Sequence, residues 1–219
     1  HPNRVWCCSL YPRDQNVRYC LFFLLLLLSC THIIVTQRTH THTHTHQIQA
    51  EFLASGGNGG EIIVWDLRRS SSSATQIQFV LEGHTQKVYC LVFATVCSDG
   101  DVVLISGGAD TTLRVWSMRD GTCMQVLNSR TADMDSIGGH FAFHTSDIRS
   151  LAVLKDIRTG NDAYIISGAQ DKSMVVMNLS EIPFRIVESV RDSHSDKITK
   201  IQMSNSGKHI YSVSSGVVR

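Results

Sequence analysis

Histidines that open similar stretches of sequence are the feature that most constrains the fold of this chain. Stretches that begin with His84 and His144 match each other along most of their length, and a third begins at His194. The chain itself begins with His1, followed four positions later by a valine, as His84 is. Regular self-similarity of this kind indicates a repeat array in which each copy forms one supersecondary unit.

Each copy carries landmarks at a fixed spacing. Ser106 lies 22 positions after His84, Ser167 lies 23 positions after His144, and an aspartate follows each serine by four positions. Short runs of β-branched and apolar residues, bounded by Gly, Asp and Asn, lie between these landmarks and are typical of strands joined by tight turns. The copy that starts at His84 therefore predicts four strands, Lys87–Phe93, Val102–Ser106, Thr112–Ser117 and Met124–Leu127.

The landmarks Gly83-His84, Ser106, Asp110 and Trp116, with Trp65-Asp66 in an earlier copy, resemble those of the WD-repeat β-propeller family. The resemblance implies an all-β fold, a partial β-propeller of four-stranded antiparallel blades with three blades and the start of a fourth. It also implies that the His, Ser, Asp and Trp of a copy form a buried hydrogen-bonded chain. The matching positions are His84, Ser106, Asp110, Trp116, His144, Ser167, Asp171, Ser55 and Trp65.

Elementary chemistry supports such a chain, because a buried indole N–H, hydroxyl or imidazole without a partner costs about 1–3 kcal/mol. Two copies depart from the pattern. Met177 stands where the copy from His144 should have a tryptophan, and Gly59 stands in the aspartate position after Ser55. We therefore expect the complete set of four partners only in the copy that starts at His84.

One segment interrupts the repeat. The apolar run Leu21–Leu28 is too short to cross a bilayer, which takes about 17–25 residues. The Thr-His run at 39–46 is what a CA dinucleotide repeat encodes, and Phe/Leu runs are what a pyrimidine tract encodes. Removing residues 17–49 reduces the separation of His1 and Ser55 from 54 to 54 − 33 = 21 positions, close to the other copies. We therefore predict that residues 17–49 are a retained intron, with a membrane segment or a His-rich metal tract as the alternatives.

This interpretation divides the chain at defined boundaries. Residues 1–16 are predicted to supply the first strand of the first repeat, and residues 50–83 the remainder of it, with 17–49 outside the fold. The second repeat covers 84–143, the third 144–193 and a truncated fourth 194–219. A closed propeller of about seven blades needs about 280 residues or more. We therefore expect the chain to be part of a larger propeller, and expect such an open arc to be poorly soluble or to associate.

Composition excludes several function classes. Without the insert, 219 − 33 = 186 residues carry 18 Lys and Arg against 19 Asp and Glu, so no basic face for a nucleic acid is expected. Cys7, Cys8, Cys90, Cys97 and Cys123 form no metal-ligand pairing and no even disulfide set, which favours a reducing compartment. We expect a cytoplasmic protein, with the nucleus as the alternative, and no cofactor, metal or small-molecule substrate.

Three clusters suggest chemistry that the repeat explains better. His84, Ser106 and Asp110 are the residue types of a hydrolytic triad, but their recurrence in the next copy points to a structural role. Asp133, Asp135, His140 and His144 have metal-ligand chemistry, yet His144 belongs to the repeat. The Gly56–Gly60 run precedes a predicted strand, so it lacks the helix N-terminus that a phosphate site needs.

The remaining candidates lie on the predicted rim of the propeller, where partner proteins or peptides would bind. A position before each first strand and one before a turn aspartate supply Arg4, Lys87, Asp147, Gln170 and Lys197. The loop Asn128–Phe143 is about ten residues longer than its counterparts and adds Met134 and Phe141 as apolar anchors, with local packing as the alternative.

These observations predict a non-catalytic scaffold for protein–protein interaction. Three alternatives stay open at this point. The chain could be a regulatory domain of a larger enzyme, a substrate-receptor module of a ubiquitin-ligase assembly, or a membrane-anchored protein if the apolar run near 20–35 is genuine.

Overall fold

The computed structural model describes residues 7–9, 32–38, 49–66, 76–96, 98, 100–130, 142–156, 161–180, 182–204, 209–214 and 217–218. The residues in these ranges form sixteen β-strands and no helix. The strands fall into four sheets, and within each sheet they lie in chain order. This arrangement confirms the all-β prediction.

The first sheet contains β1 (Cys7–Ser9), β2 (His32–Arg38), β3 (Gln49–Gly56), β4 (Ile62–Asp66) and β5 (Gln76–Leu81). The second contains β6 (Val88–Thr95), β7 (Val102–Gly108), β8 (Leu113–Ser117) and β9 (Cys123–Leu127). The third contains β10 (Ile148–Lys155), β11 (Asp162–Ala169), β12 (Met174–Asn178) and β13 (Arg185–Val190). The fourth contains β14 (Ile198–Met203), β15 (Ile210–Ser214) and β16 (Val217–Val218).

The second and third sheets are four-stranded antiparallel meanders, as predicted for blades. The strands predicted for the second blade agree with the observed ones to within about two residues, which is the usual uncertainty of strand ends. Their sequences explain why they pair, because short β-branched and apolar runs bounded by tight turns favour antiparallel hairpins. Blade geometry could therefore be predicted from local pattern.

Equivalent residues occupy the same register in three sheets. The serine of the second strand and the aromatic or methionine position of the third strand are related by identical pairings. These pairings are Ser106↔Arg114 with Leu104↔Trp116, Ser55↔Ile63 with Leu53↔Trp65, and Ser167↔Val175 with Ile165↔Met177. Met177 therefore occupies the position of the missing tryptophan.

The hydrophobic core lies between successive sheets. One cluster joins the first and second sheets around Phe52, Trp116 and their neighbours, and another joins the second and third around Ile105 and Phe184. A smaller cluster joins the third and fourth sheets. The innermost strands of neighbouring sheets contact each other in chain order, β2 with β6, β6 with β10 and β10 with β14. The four sheets thus form an arc of blades.

The first sheet differs from the expectation in its inner strands. β2, which lies inside the segment 17–49, pairs antiparallel with β3, through pairs such as Ile34↔Ala54. β1, from the segment 1–16, pairs parallel with β2 and not with β3. The run Ile33-Ile34-Val35 has the β-branched composition that favours a strand, and a parallel pair needs the long connection that residues 10–31 supply. Whether residues 17–49 occur in the mature protein stays a prediction.

In the part of the chain that the structure describes, no helix is long and apolar enough to cross a membrane. The run Leu21–Leu28 and the Thr-His run at 39–46 lie outside the described residues, so the membrane and metal-tract alternatives for them stay predictions.

Hydrogen bonds between blades supplement the apolar core. The Gln125 side chain, on the outer strand β9, donates from Nε2 to the Phe184 carbonyl oxygen (3.0 Å) and accepts from the Phe184 N–H (2.7 Å). On the inner strands, the Ser150 hydroxyl accepts from the Ile201 N–H (2.8 Å). The Cys90 thiol lies 3.6 Å from the Ile148 carbonyl oxygen. The buried Cys90 thus contacts the next blade as a weak donor as well as filling space.

Candidate functional site

The structure brings His84, Ser106, Asp110 and Trp116 together inside the second blade. His84 lies between the other two polar groups, with Nε2 at 2.7 Å from the Ser106 hydroxyl and Nδ1 at 2.9 Å from Asp110 Oδ2. The Trp116 indole N–H donates to the same Ser106 hydroxyl over 2.8 Å. All four side chains are buried, Ser106 completely.

When His84 is neutral, the partners determine which atom donates in each of these hydrogen bonds. Its Nδ1–H donates to the Asp110 carboxylate, so Nε2 accepts from the Ser106 hydroxyl, which itself accepts from Trp116. Burial by itself would raise the pKa of Asp110, but the hydrogen bonds and charge of His84 and the two hydrogen bonds from Thr112 outweigh it. The pKa of Asp110 is lowered to about 2. Asp110 is therefore ionised at neutral pH and holds the His84 ring in one orientation.

The third blade builds a similar set of hydrogen bonds, without the indole and with Ser173 between the histidine and the aspartate. His144 Nε2 lies 2.8 Å from the Ser167 hydroxyl, while Nδ1 lies 2.7 Å from the Ser173 hydroxyl. Ser173 in turn donates to Asp171 over 2.6 Å, so it bridges the histidine and the aspartate. Burial opposes ionisation of Asp171, but hydrogen bonds from His144, Ser173 and the Thr145 backbone lower its pKa.

Sequence reasoning missed Ser173 and its counterpart Thr112. Both lie two positions after the turn aspartate, and both hydroxyls donate to it. A hydroxyl residue at that spacing in two copies is the signal that could have identified them. The lack of an indole in the third blade also has a consequence, because the Ser167 hydroxyl approaches the Val175 carbonyl oxygen at 3.4 Å instead.

The first and fourth blades contain only some members of this hydrogen-bonded set. In the fourth, His194 Nε2 lies 2.7 Å from the Ser212 hydroxyl, and both residues are buried. In the first, Ser55 and Trp65 are buried at the register positions of Ser106 and Trp116. Gly60, in the turn after Ser55, has φ +93°, and a Cβ there would collide with the His84 carbonyl oxygen. This turn therefore packs directly beneath the start of the second blade.

The predicted rim residues divide into three groups. Lys87, Gln170 and Lys197 are exposed, as expected for a binding surface. Asp147 is only half-exposed because it pairs with Arg149 at 2.9 Å. The others, Arg4, Met134 and Phe141, lie outside the described residues.

Phe143, the last residue of the enlarged loop, is not available to a partner. It is 4% exposed and packs in the core between the second and third blades. Its ring also lies 5.1 Å from the His144 ring. Phe143 is buried because it directly precedes the histidine that anchors the third blade, and local packing explains it.

Arg149 organises a rim cluster that sequence reasoning did not single out. Its Nη2 donates to Asp147 (2.9 Å) and to the Gln170 side-chain oxygen (2.8 Å). Its guanidinium carbon lies 4.0 Å above the centre of the Tyr89 ring, so a residue of the third blade stacks on a residue of the second. We name these four residues, Tyr89, Asp147, Arg149 and Gln170, the Arg149 cluster.

Comparison with known sequences agrees with this geometry. The family model described as "WD domain, G-beta repeat" matches residues 75–117, which include all four members of the chain around Ser106. Residues 75–117 are thus a repeat of the WD-repeat family. The match begins one residue before β5 and ends with β8, so one sequence repeat combines the outer strand of one blade with three strands of the next.

Curated WD-repeat relatives match parts of the chain. Pre-mRNA-processing factor 19 of Bos taurus is 29% identical over 112 residues, covering 49% of this chain and 20% of that protein. WD repeat and SOCS box-containing protein 1 of Homo sapiens is 40% identical over 76 residues, covering 34% and 16%. Protein ROOT INITIATION DEFECTIVE 3 of Arabidopsis thaliana is 27% identical over 134 residues, covering 60% and 27%. The chain thus spans about a fifth of the length of the first two.

The buried WD-repeat residues do not have the geometry of a hydrolytic site. Ser106 and the ring of His84 are completely buried, and the serine hydroxyl is already bonded to Trp116. A nucleophile needs access to a substrate carbonyl, which this position lacks. Among the described residues, no group of three His, Cys, Asp or Glu side chains is placed to hold a metal ion. Asp133, Asp135 and His140 lie outside them.

Proposed function

We propose that this chain is a non-catalytic platform that binds other proteins through the rim at the start of its inner strands. The observation that carries the proposal is the separation of polar side chains into two sets. The repeat histidines and serines are hydrogen-bonded to each other inside the blades. Lys87 and Lys197 are exposed on a rigid frame, and Gln170 is exposed while its side-chain oxygen accepts from Arg149. Exposed polar side chains of this kind are available for contact with a partner.

The test compares the proteins captured by rim variants of the tagged full chain in its own cells. Lys87→Glu with Lys197→Glu reverses two exposed charges at the starts of β6 and β14. Arg119→Glu with Lys155→Glu makes the same change in charge at the opposite ends of the blades and is the matched control. We expect the rim pair to lose proteins that the control retains. The same set of captured proteins for both variants would overturn the proposal.

A second candidate is that these repeats serve a larger assembly. The names of two relatives favour it, "WD repeat and SOCS box-containing protein 1" and "Cell division cycle 20.1, cofactor of APC complex" of Arabidopsis thaliana, which is 34% identical over 82 residues. A SOCS box or another domain joined to the repeats in the complete transcript would support this candidate. We also propose a cytoplasmic location, with the nucleus as the alternative, which imaging of the tagged protein tests.

A further inference from the structure

A groove of about 270 Å³ runs along the inner strands of three blades. It is lined by residues 90–92 of β6, 149–153 of β10 and 199–203 of β14. Each of these strands lies at the edge of its sheet, so the groove is bordered by strand edges rather than by sheet faces. Strand edges accept an additional extended segment readily. The shape of the groove therefore suits an extended peptide.

The charge of the groove has one sign. Its lining contains Arg149 and Lys200 and, among the described residues, no aspartate or glutamate. Lys200 is exposed. In the two preceding blades the same strand position holds Cys90 and Ser150, whose side chains reach the backbone of the next inner strand. The fourth blade thus presents a cation where the others present a small side chain.

The guanidinium of Arg149 is fixed by its neighbours and has a donor without a partner among the described residues. Asp147 and Gln170 both accept from Nη2, and the Tyr89 ring supports the guanidinium plane. Nε is buried and has no hydrogen-bond partner among the described residues. A buried donor without a partner costs free energy, which a ligand acceptor would recover. A carboxylate suits this position best, because the planar guanidinium binds it with charge-assisted hydrogen bonds.

We infer that this groove binds an acidic, extended segment of a partner protein, with a carboxylate at Arg149 and another at Lys200. The inference rests on the proposed function and specifies the partner's chemistry. Lys87 and Lys197 are exposed at the positions directly before the inner strands β6 and β14. The ion pair with Asp147 uses Nη2 of Arg149, so Nε is the donor that remains for the partner's carboxylate.

The test measures binding of short fluorescent peptides to the full chain by anisotropy. The probes alternate alanine with glutamate, glutamine or lysine. We expect the glutamate peptide to bind about tenfold or more tightly than the glutamine peptide, a difference of about 1.4 kcal/mol. Added salt should weaken binding of the glutamate peptide. Equal binding of the glutamate and glutamine peptides, or preference for the lysine peptide, would overturn the inference.

Variants locate the site and separate the two proposals. Arg149→Gln with Lys200→Gln should weaken glutamate-peptide binding about tenfold, while Arg119→Gln with Lys155→Gln, equal in charge, should leave it unchanged. If Arg149→Gln prevents folding, Lys200→Gln alone is used, because an exposed lysine is not needed for the core. Equal losses in both pairs would overturn the inference. Proteins captured through Lys87 and Lys197 without glutamate-peptide binding would refute the acidic segment and retain the platform.

Discussion

At the residue scale, Ser106 is the junction of the second blade. Its one hydroxyl accepts from the Trp116 indole and donates to His84 when that ring is neutral, so three elements of the blade depend on a single oxygen. Ser167 has the same place in the third blade, where Met177 stands at the tryptophan position and offers no donor. We therefore expect removal of the two hydroxyls to cost different amounts of stability.

Ser106→Ala leaves both the indole N–H and His84 Nε2 buried without their partner, so we expect a loss of about 2–4 kcal/mol in the free energy of unfolding. Ser167→Ala removes a partner from His144 and a long contact of 3.4 Å from the Val175 carbonyl oxygen, and should cost about 1–2 kcal/mol. Urea denaturation measures both values, and Ser195→Ala, at an exposed serine, is the control. Equal losses at Ser106 and Ser167 would contradict the role of Trp116.

The lowered pKa of Asp110 predicts a pH dependence with a definite sign. A carboxyl with a pKa of about 2 when folded, against an ordinary value of 3.8, stabilises the fold above pH 4, and this stabilisation is lost as pH falls toward 2. Asp110→Asn should therefore reduce the decline of the unfolding free energy with acidification. Adding Asp171→Asn should reduce it further, because the pKa of Asp171 is also lowered. Acid titrations of stability that coincide for all three proteins would refute this account.

The hydrogen bonds among His84, Ser106, Asp110 and Trp116 could be predicted from the spacing of these residues in the sequence. His84, Ser106, Asp110 and Trp116 lie in contact because their strand positions are fixed by local periodicity. Thr112 and Ser173 were missed because they act within turns, where side chains compete with backbone for hydrogen bonds. Arg149 was missed because its partners come from three different segments, and such contacts leave no local pattern.

At the element scale, the blades are joined by apolar packing and by a few directed hydrogen bonds. The outer strand of the second blade uses Gln125 to bind the backbone of Phe184 in the third. The outer strand of the first blade has Phe79 at the corresponding position, which contacts the turn at Gly121. One structural position therefore connects successive blades through different chemistry, which no pattern within a single repeat could predict.

Gln125→Met keeps the size of the side chain and removes both of its hydrogen bonds. Because the N–H and carbonyl of Phe184 then lose their partners in a buried setting, we expect a loss of about 2–4 kcal/mol. Amide exchange at Phe184, followed by NMR, should accelerate at the same time. The matched control is Gln78→Met at an exposed position on β5. Unchanged exchange at Phe184 would contradict a structural role for the amide of Gln125.

At the scale of the whole molecule, the first blade is where sequence and structure diverge. Spacing assigns its inner strand to residues 1–16, whereas β2 from residues 32–38 lies beside β3. Both segments contain β-branched or small apolar residues that suit a strand, so local propensity does not choose between them. Only the repeat spacing distinguishes them, and it favours the segment that starts at His1.

The retained-intron hypothesis predicts that mature messenger RNA lacks codons 17–49 and joins Asn16 directly to Ala50. Sequencing of reverse-transcribed RNA across this junction measures it. The shortened protein should then place residues near Val5 beside β3, because His1 to Ser55 regains the spacing of the other copies. Mature transcripts that retain these codons, with peptides from the Thr-His run in the purified protein, would refute the hypothesis.

The central claim is that the chain is a series of repeated blades, and hydrogen–deuterium exchange with mass spectrometry tests it most directly. β7 and β11 each lie between two strands, whereas β9 and β13 lie at sheet edges. We predict slow exchange in β7 and β11, faster exchange in β9 and β13, and the same ranking in both blades. Rapid exchange throughout β7 and β11, or protection that does not recur from one blade to the next, would contradict the account.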